Sequence, residues 1–244
     1  MNATLQEINL EELNHLSATE LLTWAATAHG ERAAIITSFQ KTGCIMIDMA
    51  YRAGINLRVI TIDTLRLHPD TYDLMDRIEK RYGIMVERFQ PNPDRLEQMI
   101  RNHGEFLFFD SKDKQKYCCE IRKVEPNARA LQSVDVWITG LRRDQSAERK
   151  DTPKVSIVKR HNRPIIRLCP IVDWQEEALD AYIAEHEVPR NALYDKGYTT
   201  IGCEICSTPN LPHEEKRAGR WRWFNYLGKE QSKECGIHNN GSGI

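Results

Sequence analysis

No stretch of the sequence is apolar for long enough to cross a bilayer as a helix, which takes ~18 residues or more. Neither charge is in surplus: 34 Lys and Arg stand against 35 Asp and Glu over 244 residues, a formal net charge of −1. A chain so balanced has no global attraction for nucleic acid or an anionic membrane, so electrostatic function must come from local clustering. Internal repeats and low-complexity tracts are missing too. The amino-terminal run MNATLQEINLEELN is acidic instead of basic-then-apolar, so no secretory signal is read there and a cytoplasmic location is expected. What remains is an ordinary soluble composition, 41% apolar and 28% charged, in a chain long enough for one large domain with a buried core.

Seven cysteines stand out: Cys44, Cys118, Cys119, Cys169, Cys203, Cys206 and Cys235. In a reducing compartment a disulfide framework is disfavoured, and an odd count leaves one thiol over in any case. Metal binding and nucleophilic chemistry are therefore the leading readings.

The pattern along the chain is α/β. Ser17-Ala-Thr-Glu20 forms a capping box ahead of a helix that stops at Gly30. AAIITS (33–38), LRVITID (57–63), IMVERF (84–89) and VDVWIT (134–139) read as buried strands, with helices between them closed by Gly54, Gly83 and Gly104. That alternation predicts a Rossmann-like, mostly parallel sheet with helices on both faces, and ligands at the carboxyl ends of the strands, in the loops after Ser38, Asp63 and Thr139. Beyond residue 140 basic residues crowd together, and Asp173-Trp-Gln-Glu176 is placed to cap one more helix. A single domain over 1–244 is expected: an N-terminal helical segment (1–32), an α/β core (33–140), a basic, cysteine-bearing lobe (141–228) and a polar, mobile tail (229–244).

Cys203-Glu-Ile-Cys206 is a Cys-x-x-Cys, a spacing shared by zinc, iron–sulfur and dithiol redox sites. With Cys118-Cys119 it makes four thiolates, enough for a closed metal site. Two neighbouring thiolates converge poorly on one ion, because adjacent side chains diverge on a helix and alternate on a strand. A cubane offers a separate iron to each, so the spacing leans toward iron–sulfur. Cys44 and Cys169 sit in apolar runs and read as small core residues. Cys235, in SKECGIH near Lys233 and His238, has the setting of an exposed thiolate nucleophile.

These residues resemble the phosphosulfate reductase family, and within it the iron–sulfur branch of assimilatory adenylyl-sulfate reductases. The resemblance is carried by Thr37-Ser-Phe39, Asp63-Thr-x-x-Leu-His-Pro-Asp-Thr-Tyr72, Cys118-Cys-x-Ile-Arg-Lys123 and Thr139-Gly-x-Arg-Arg-Asp-Gln-Ser146 with Arg149. It continues through Ile201-Gly-Cys-Glu-x-Cys206, Arg217-x-Gly-Arg-Trp221 and Glu234-Cys-Gly-Ile-His238. It implies an adenine nucleotide alpha hydrolase-like fold and a 4Fe-4S cluster on Cys118, Cys119, Cys203 and Cys206. The implied reaction is reduction of adenosine 5′-phosphosulfate (APS) to sulfite and AMP, within sulfate assimilation and cysteine biosynthesis. Cys235 would be the nucleophile, passing through an S-sulfocysteine that a thioredoxin or glutaredoxin-like dithiol resolves. Substrate contacts are expected from Ser38, Phe39, Asp63, Lys123, Arg142, Arg143, Arg149, Arg217, Arg220 and His238. Family members are homo-oligomers, so one is expected here, with no nucleic-acid or membrane partner. Trp221 and Trp223 are read as lobe packing. One departure matters. The phosphate loop reads SFQKTG where relatives often place Ser-Gly or Ser-Phe-Gly, leaving Lys41 and Gly43 to compensate. The Ser-Gly-Gly-x-Asp-Ser loop of ATP pyrophosphatases is absent, which argues against ATP hydrolysis in a fold that otherwise resembles theirs. The rival readings are reduction of the 3′-phosphorylated analogue, PAPS, or of both, and a zinc-stabilised nucleotide-binding protein with an inert tail cysteine.

Overall fold

Two short helices lead into the sheet of the computed structural model, which describes residues 9–160 and 163–225. In α1 (Leu10–His15) the Asn9 side chain accepts from the amides of Glu11 and Glu12. In α2 (Ala18–His29) the Ser17–Glu20 capping box forms as expected, and the helix ends against Gly30.

Six strands come next: β1 (Ala33–Ile36), β2 (Arg58–Ile62), β3 (Val86–Phe89), β4 (Val136–Ile138), β5 (Val155–Arg160) and β6 (Arg163–Leu168), in the order β3-β2-β1-β4-β6-β5. All neighbours are parallel except the β5–β6 hairpin. Between them run α3 (Lys41–Arg52), α4 (Pro69–Tyr82), α5 (Pro93–His103), α6 (Lys112–Cys119) and α7 (Glu125–Gln132), and beyond them α8 (Glu176–His186) and the single turn α9 (Arg222–Asn225). The sheet thus runs on into the segment that the basic composition assigns to the lobe, with Val136 of β4 opposite Ile166 of β6. The reason is positional. β5 is an edge strand whose outward residues, Lys159 among them, are charged or exposed, so its apolar signal is diluted. Asp173 does not cap α8; the helix starts after Gln175 without a side-chain cap, and Asp173 pairs with Arg143 instead.

Alternation along the strands divides the core in two. Ile35, Val136 and Ile138 face a large cluster with Phe39, Ile45, Met46, Met75 and Ile78. Ala34, Ile36, Ile60, Trp137 and Ile165 face the opposite side, where Ala130 and Leu131 of α7 cover them. Each fully buried aliphatic or aromatic side chain contributes about 1.5–3 kcal/mol relative to exposure. β1 touches β2 on one side and β4 on the other. The chain leaves β1 in one direction and returns on the other, so the loops after β1 and β4 part and open a crevice at the switch point.

Candidate active site

The crevice is lined by the loops after β1 and β4, with Ser38, Gln40, Gly140 and Leu141 facing in. After β1 the Thr37 hydroxyl accepts the Phe39 amide at 2.9 Å, and Phe39 adopts a φ of 56°. Left-handed backbone costs a phenylalanine about 1–2 kcal/mol. Complete burial of its ring in the core offsets that cost. Gln40 then joins loop to lobe: its amide nitrogen donates to Ser38 Oγ at 3.1 Å, and its carbonyl accepts from the Ile201 amide at 3.3 Å.

A smaller cavity adjoins the crevice, lined by Cys118, Cys119, Cys203 and Cys206 with Thr64, Gln115 and Arg122. α6 carries the adjacent cysteines at its end and widens into a π-helical turn, Glu120–Val124, before α7. Such a turn inserts one residue and rotates the helix beyond it. Arg122 is thereby buried, donating to the Thr64 carbonyl at 3.0 Å, while Lys123 faces both the cavity and the crevice. The Cys-x-x-Cys segment is held by an antiparallel bridge from Leu67 to Cys203 and by the Cys206 amide donating to the Cys203 carbonyl at 3.0 Å. A Cβ on Gly202 would fall 1.8 Å from the Arg220 guanidinium, so only glycine lets Arg220 lie against this segment, where it donates to Ser207 Oγ at 2.7 Å.

Polar groups address the sulfurs. Gln115 donates to Cys119 Sγ at 3.0 Å, and the Thr64 hydroxyl is 3.2 Å from Cys203 Sγ. The Cys206 thiol, and after it the Thr64 hydroxyl and the charges of Lys123 and Arg220, lower the pKa of Cys203 against the opposing effect of burial. Burial raises that of Cys118, against the pull of Arg122 and Arg66. The donor set is four thiols from two segments, with N–H and O–H groups directed at two of the sulfurs. Among the described residues no group of three or more His, Cys, Asp or Glu is placed to hold a metal ion. By the chemistry of its donors, a set of four thiols could bind a metal group only as thiolates. Cys44 and Cys169 are core thiols, pushed by burial up to about 12 and about 11.

Of the residues expected to meet substrate, Ser38, Lys123, Arg142, Arg149, Arg217 and Arg220 line the crevice. Three others do not. Phe39 is core. Asp63 is buried beneath the β2 loop, accepting from Tyr72 Oη at 2.7 Å, Gln90 Nε2 at 3.0 Å and the Leu65 amide at 2.9 Å. It thereby shapes the left-handed turn at Leu65 beside Thr64. Arg143 turns outward to the Thr152 carbonyl and Asp173. Lys41 points at α8, toward Glu176 and Asp180, and not into the loop it was expected to charge. Cys235 and His238 lie outside the described residues. Trp221 is buried against the cysteine cavity and Trp223 packs on Phe108 and Phe109. Sequence reasoning missed Thr64, Gln115, Glu176 and Tyr194. Gln115 had a signal, since it precedes Cys119 by one helical turn; Glu176 and Tyr194 had none.

The profile of the phosphoadenosine phosphosulfate reductase domain matches residues 32–209. The adenosine 5′-phosphosulfate reductase of Neisseria meningitidis serogroup A is 39% identical, over 84% of this chain and 82% of its own. That of Agrobacterium fabrum is 36% identical, over 86% and 78%. Among solved structures, the phosphate complex of phosphoadenylyl-sulfate reductase from Candida auris superposes with a TM-score of 0.71 at 28% identity, covering 85% of this chain and all of that one. FMN adenylyltransferase from Candida glabrata, with a TM-score of 0.59 at 13% identity over 83% and 66% of the two chains, shares the fold alone. The fold is thus the adenine nucleotide alpha hydrolase-like one. With a matched profile over most of its length and relatives this similar, the chain belongs to the phosphoadenosine phosphosulfate reductase domain family.

Proposed function

We propose that the chain reduces APS to sulfite and AMP in sulfate assimilation, as the names of its relatives state for them. The observation that carries this reading is the shared wall of the two cavities: Thr64, Lys123, Cys203 and Arg220 line both the crevice and the four-cysteine cavity. A nucleotide placed in the crevice with its anionic end toward Lys123 and Arg220 would have its sulfonyl group beside the thiols. Arginine forks and a lysine ammonium at that wall suit sulfate and phosphate oxygens, and they stabilise an anionic nucleophile approaching an anionic centre.

Cys235 is proposed as that nucleophile. Its thiolate attacks the sulfur, the bond from sulfur to the phosphate oxygen breaks, and AMP leaves with the electron pair. A thiolate of an external thioredoxin or glutaredoxin-like dithiol then attacks Cys235 Sγ and releases sulfite. The partner thiol resolves the mixed disulfide, so the dithiol supplies both electrons. A 4Fe-4S cluster on Cys118, Cys119, Cys203 and Cys206 would supply fixed charge beside the sulfonyl group. Arg149 and Arg217 are assigned to the same anionic end, and His238 to the region of Cys235.

Three measurements on anaerobically purified protein test this reading. Iron and acid-labile sulfide are expected; zinc alone would support a nucleotide-binding protein instead. APS added without reductant should leave a sulfonate on the peptide that contains Cys235, read by mass spectrometry. Cys235→Ser should lower sulfite release on the order of 10³-fold or more with iron content unchanged. Retained turnover would move the nucleophile elsewhere.

A further inference from the structure

Residues 208–222 make a loop whose two limbs lie side by side. Ser207 and Arg220 form an antiparallel bridge, and the Thr208 amide donates to the Gly219 carbonyl at 3.0 Å. Arg217 stands on the return limb and lines the crevice. Apolar packing does little to keep it there. Between 209 and 218 Ala218 is the one buried apolar residue, and Leu211 is 54% exposed. A limb packed this thinly depends on polar contacts to hold a side chain at a fixed angle.

One guanidinium supplies most of them. Arg222 Nε donates to Thr208 Oγ1 at 2.9 Å, and a terminal nitrogen donates to the Pro209 carbonyl at 2.8 Å. The two terminal nitrogens also reach the two oxygens of Glu214, at 2.6 and 2.8 Å. Glu214 Oε2 accepts from the Leu211 amide at 2.8 Å. Arg222 therefore binds the outgoing limb, the turn and the return limb at once. The pair is bidentate and leaves 24% and 19% of its side chains exposed, which sets it apart from a single-contact, fully solvated surface pair. Beyond the turn, Asn210 Nδ2 donates to the Glu215 carbonyl at 2.6 Å, and Lys216 lies 3.4 Å from Asp144 and 3.6 Å from Glu176. Arg142 pairs with those same carboxylates, at 3.3 and 2.8 Å. Arg217 is thus carried between a clasp on one side and the crevice wall on the other.

We infer that the Arg222–Glu214 clasp positions Arg217, setting the angle at which its guanidinium meets the anionic end of a bound nucleotide. This rests on the reading of the crevice as a phosphosulfate nucleotide site. Arg222 and Glu214 lie outside the crevice lining, so they act through Arg217 and not on the nucleotide. A guanidinium gives its two parallel bonds to phosphate or sulfate oxygens only over a narrow range of orientations. A limb freed to swing loses those bonds well before the sheet loses its fold.

A double-mutant cycle on anaerobically purified protein tests this, with AMP as the probe in calorimetry and APS in steady-state kinetics. Arg217→Ala should weaken AMP binding about tenfold or more, as for loss of a charged hydrogen-bond donor. Arg222→Leu should weaken it about fivefold or more and raise the KM for APS by a similar factor, with kcat within about threefold of wild type. In the Arg217→Ala background the same change should cost less than about twofold, because the group that the clasp positions is gone. Glu214→Ala removes the turn's half of the clasp and leaves the bonds from Arg222 to Thr208 and Pro209. It should follow the same pattern, and it decides the matter where Arg222→Leu fails to fold. Full additivity overturns the inference, since the clasp would then act on the segment as a whole. So does a folded Arg222→Leu or Glu214→Ala protein with wild-type affinity for AMP. A wild type that does not bind AMP removes the crevice reading and the inference with it. The expected cycle in a protein that forms no sulfite supports the clasp and counts against the proposed reaction alone.

Discussion

His29 ends α2 with its ring edge-on to Trp24, 5.3 Å between centroids, and among the described residues neither ring nitrogen finds a hydrogen-bond partner. Burial lowers its pKa below 6.5, against the pull of Asp135, so the folded protein holds the ring neutral. Below 6.5 the unfolded chain binds a proton that the folded chain refuses, so this residue makes stability fall as pH drops through the unfolded value and leaves it level above. His29→Leu keeps an apolar body of similar size in the site and removes the titration. At about pH 7.5 the variant should lie within about 1 kcal/mol of wild type. Between about pH 6.5 and about pH 5 its urea midpoints should fall less steeply than those of wild type. Equal slopes would show that the acid sensitivity arises elsewhere.

The connection from β1 to α3 is the element on which the crevice depends, and its geometry is set by one close approach. A Cβ on Gly43 would lie 1.8 Å from Thr37 Oγ1 and 2.7 Å from Thr37 Cβ, well inside contact distance. Thr37 in turn fixes the left-handed turn at Phe39 through its hydroxyl. Gly43→Ala therefore has to displace the loop that presents Ser38 and Gln40. The expected effect is a loss of about 1–3 kcal/mol in stability, as for overpacking elsewhere, with a raised KM for APS and iron content unchanged. A variant with unchanged melting temperature and KM would show that the loop yields freely. Among the elements, β1, β2 and β4 are legible in the sequence because strands buried on both faces read as apolar runs, and the edge strand β3 by its position between two helices closed by glycine. β5 and β6 are not, because β5 is an edge strand with exposed Lys159 and β6, although interior, carries Arg163 and Arg167, so the pair reads as a basic stretch. α6 and α7 are hidden by a charged sequence and by a π-helical turn that no apolar period announces.

At the scale of the molecule, the site lies where two very different kinds of packing meet. The sheet is held by broad apolar clusters on both faces. The segment from 197 to 225 has few buried apolar residues, and hydrogen bonds such as Thr208 to Gly219 and Glu204 to Arg66 hold much of it. Local spacing made the cysteines legible, since two adjacent thiols and a Cys-x-x-Cys are chemically unusual within a few residues. The crevice's charge balance was not legible, because Lys41, Arg142, Asp144, Glu176, Asp180 and Lys216 meet only after the chain has folded. Under the proposed cluster the four cysteines would join α6 to this sparsely packed segment. Ligation adds binding free energy to whatever it holds together. Removing the iron with an anaerobic chelator should therefore loosen this segment first. By hydrogen exchange, the amides of Cys206, Thr208, Ala218 and Arg220 should lose protection, while those of β1 and β4 keep theirs. Uniform loss across sheet and segment would mean that the cluster supports the whole fold, and no change at all would mean that the four thiols do not bear iron together.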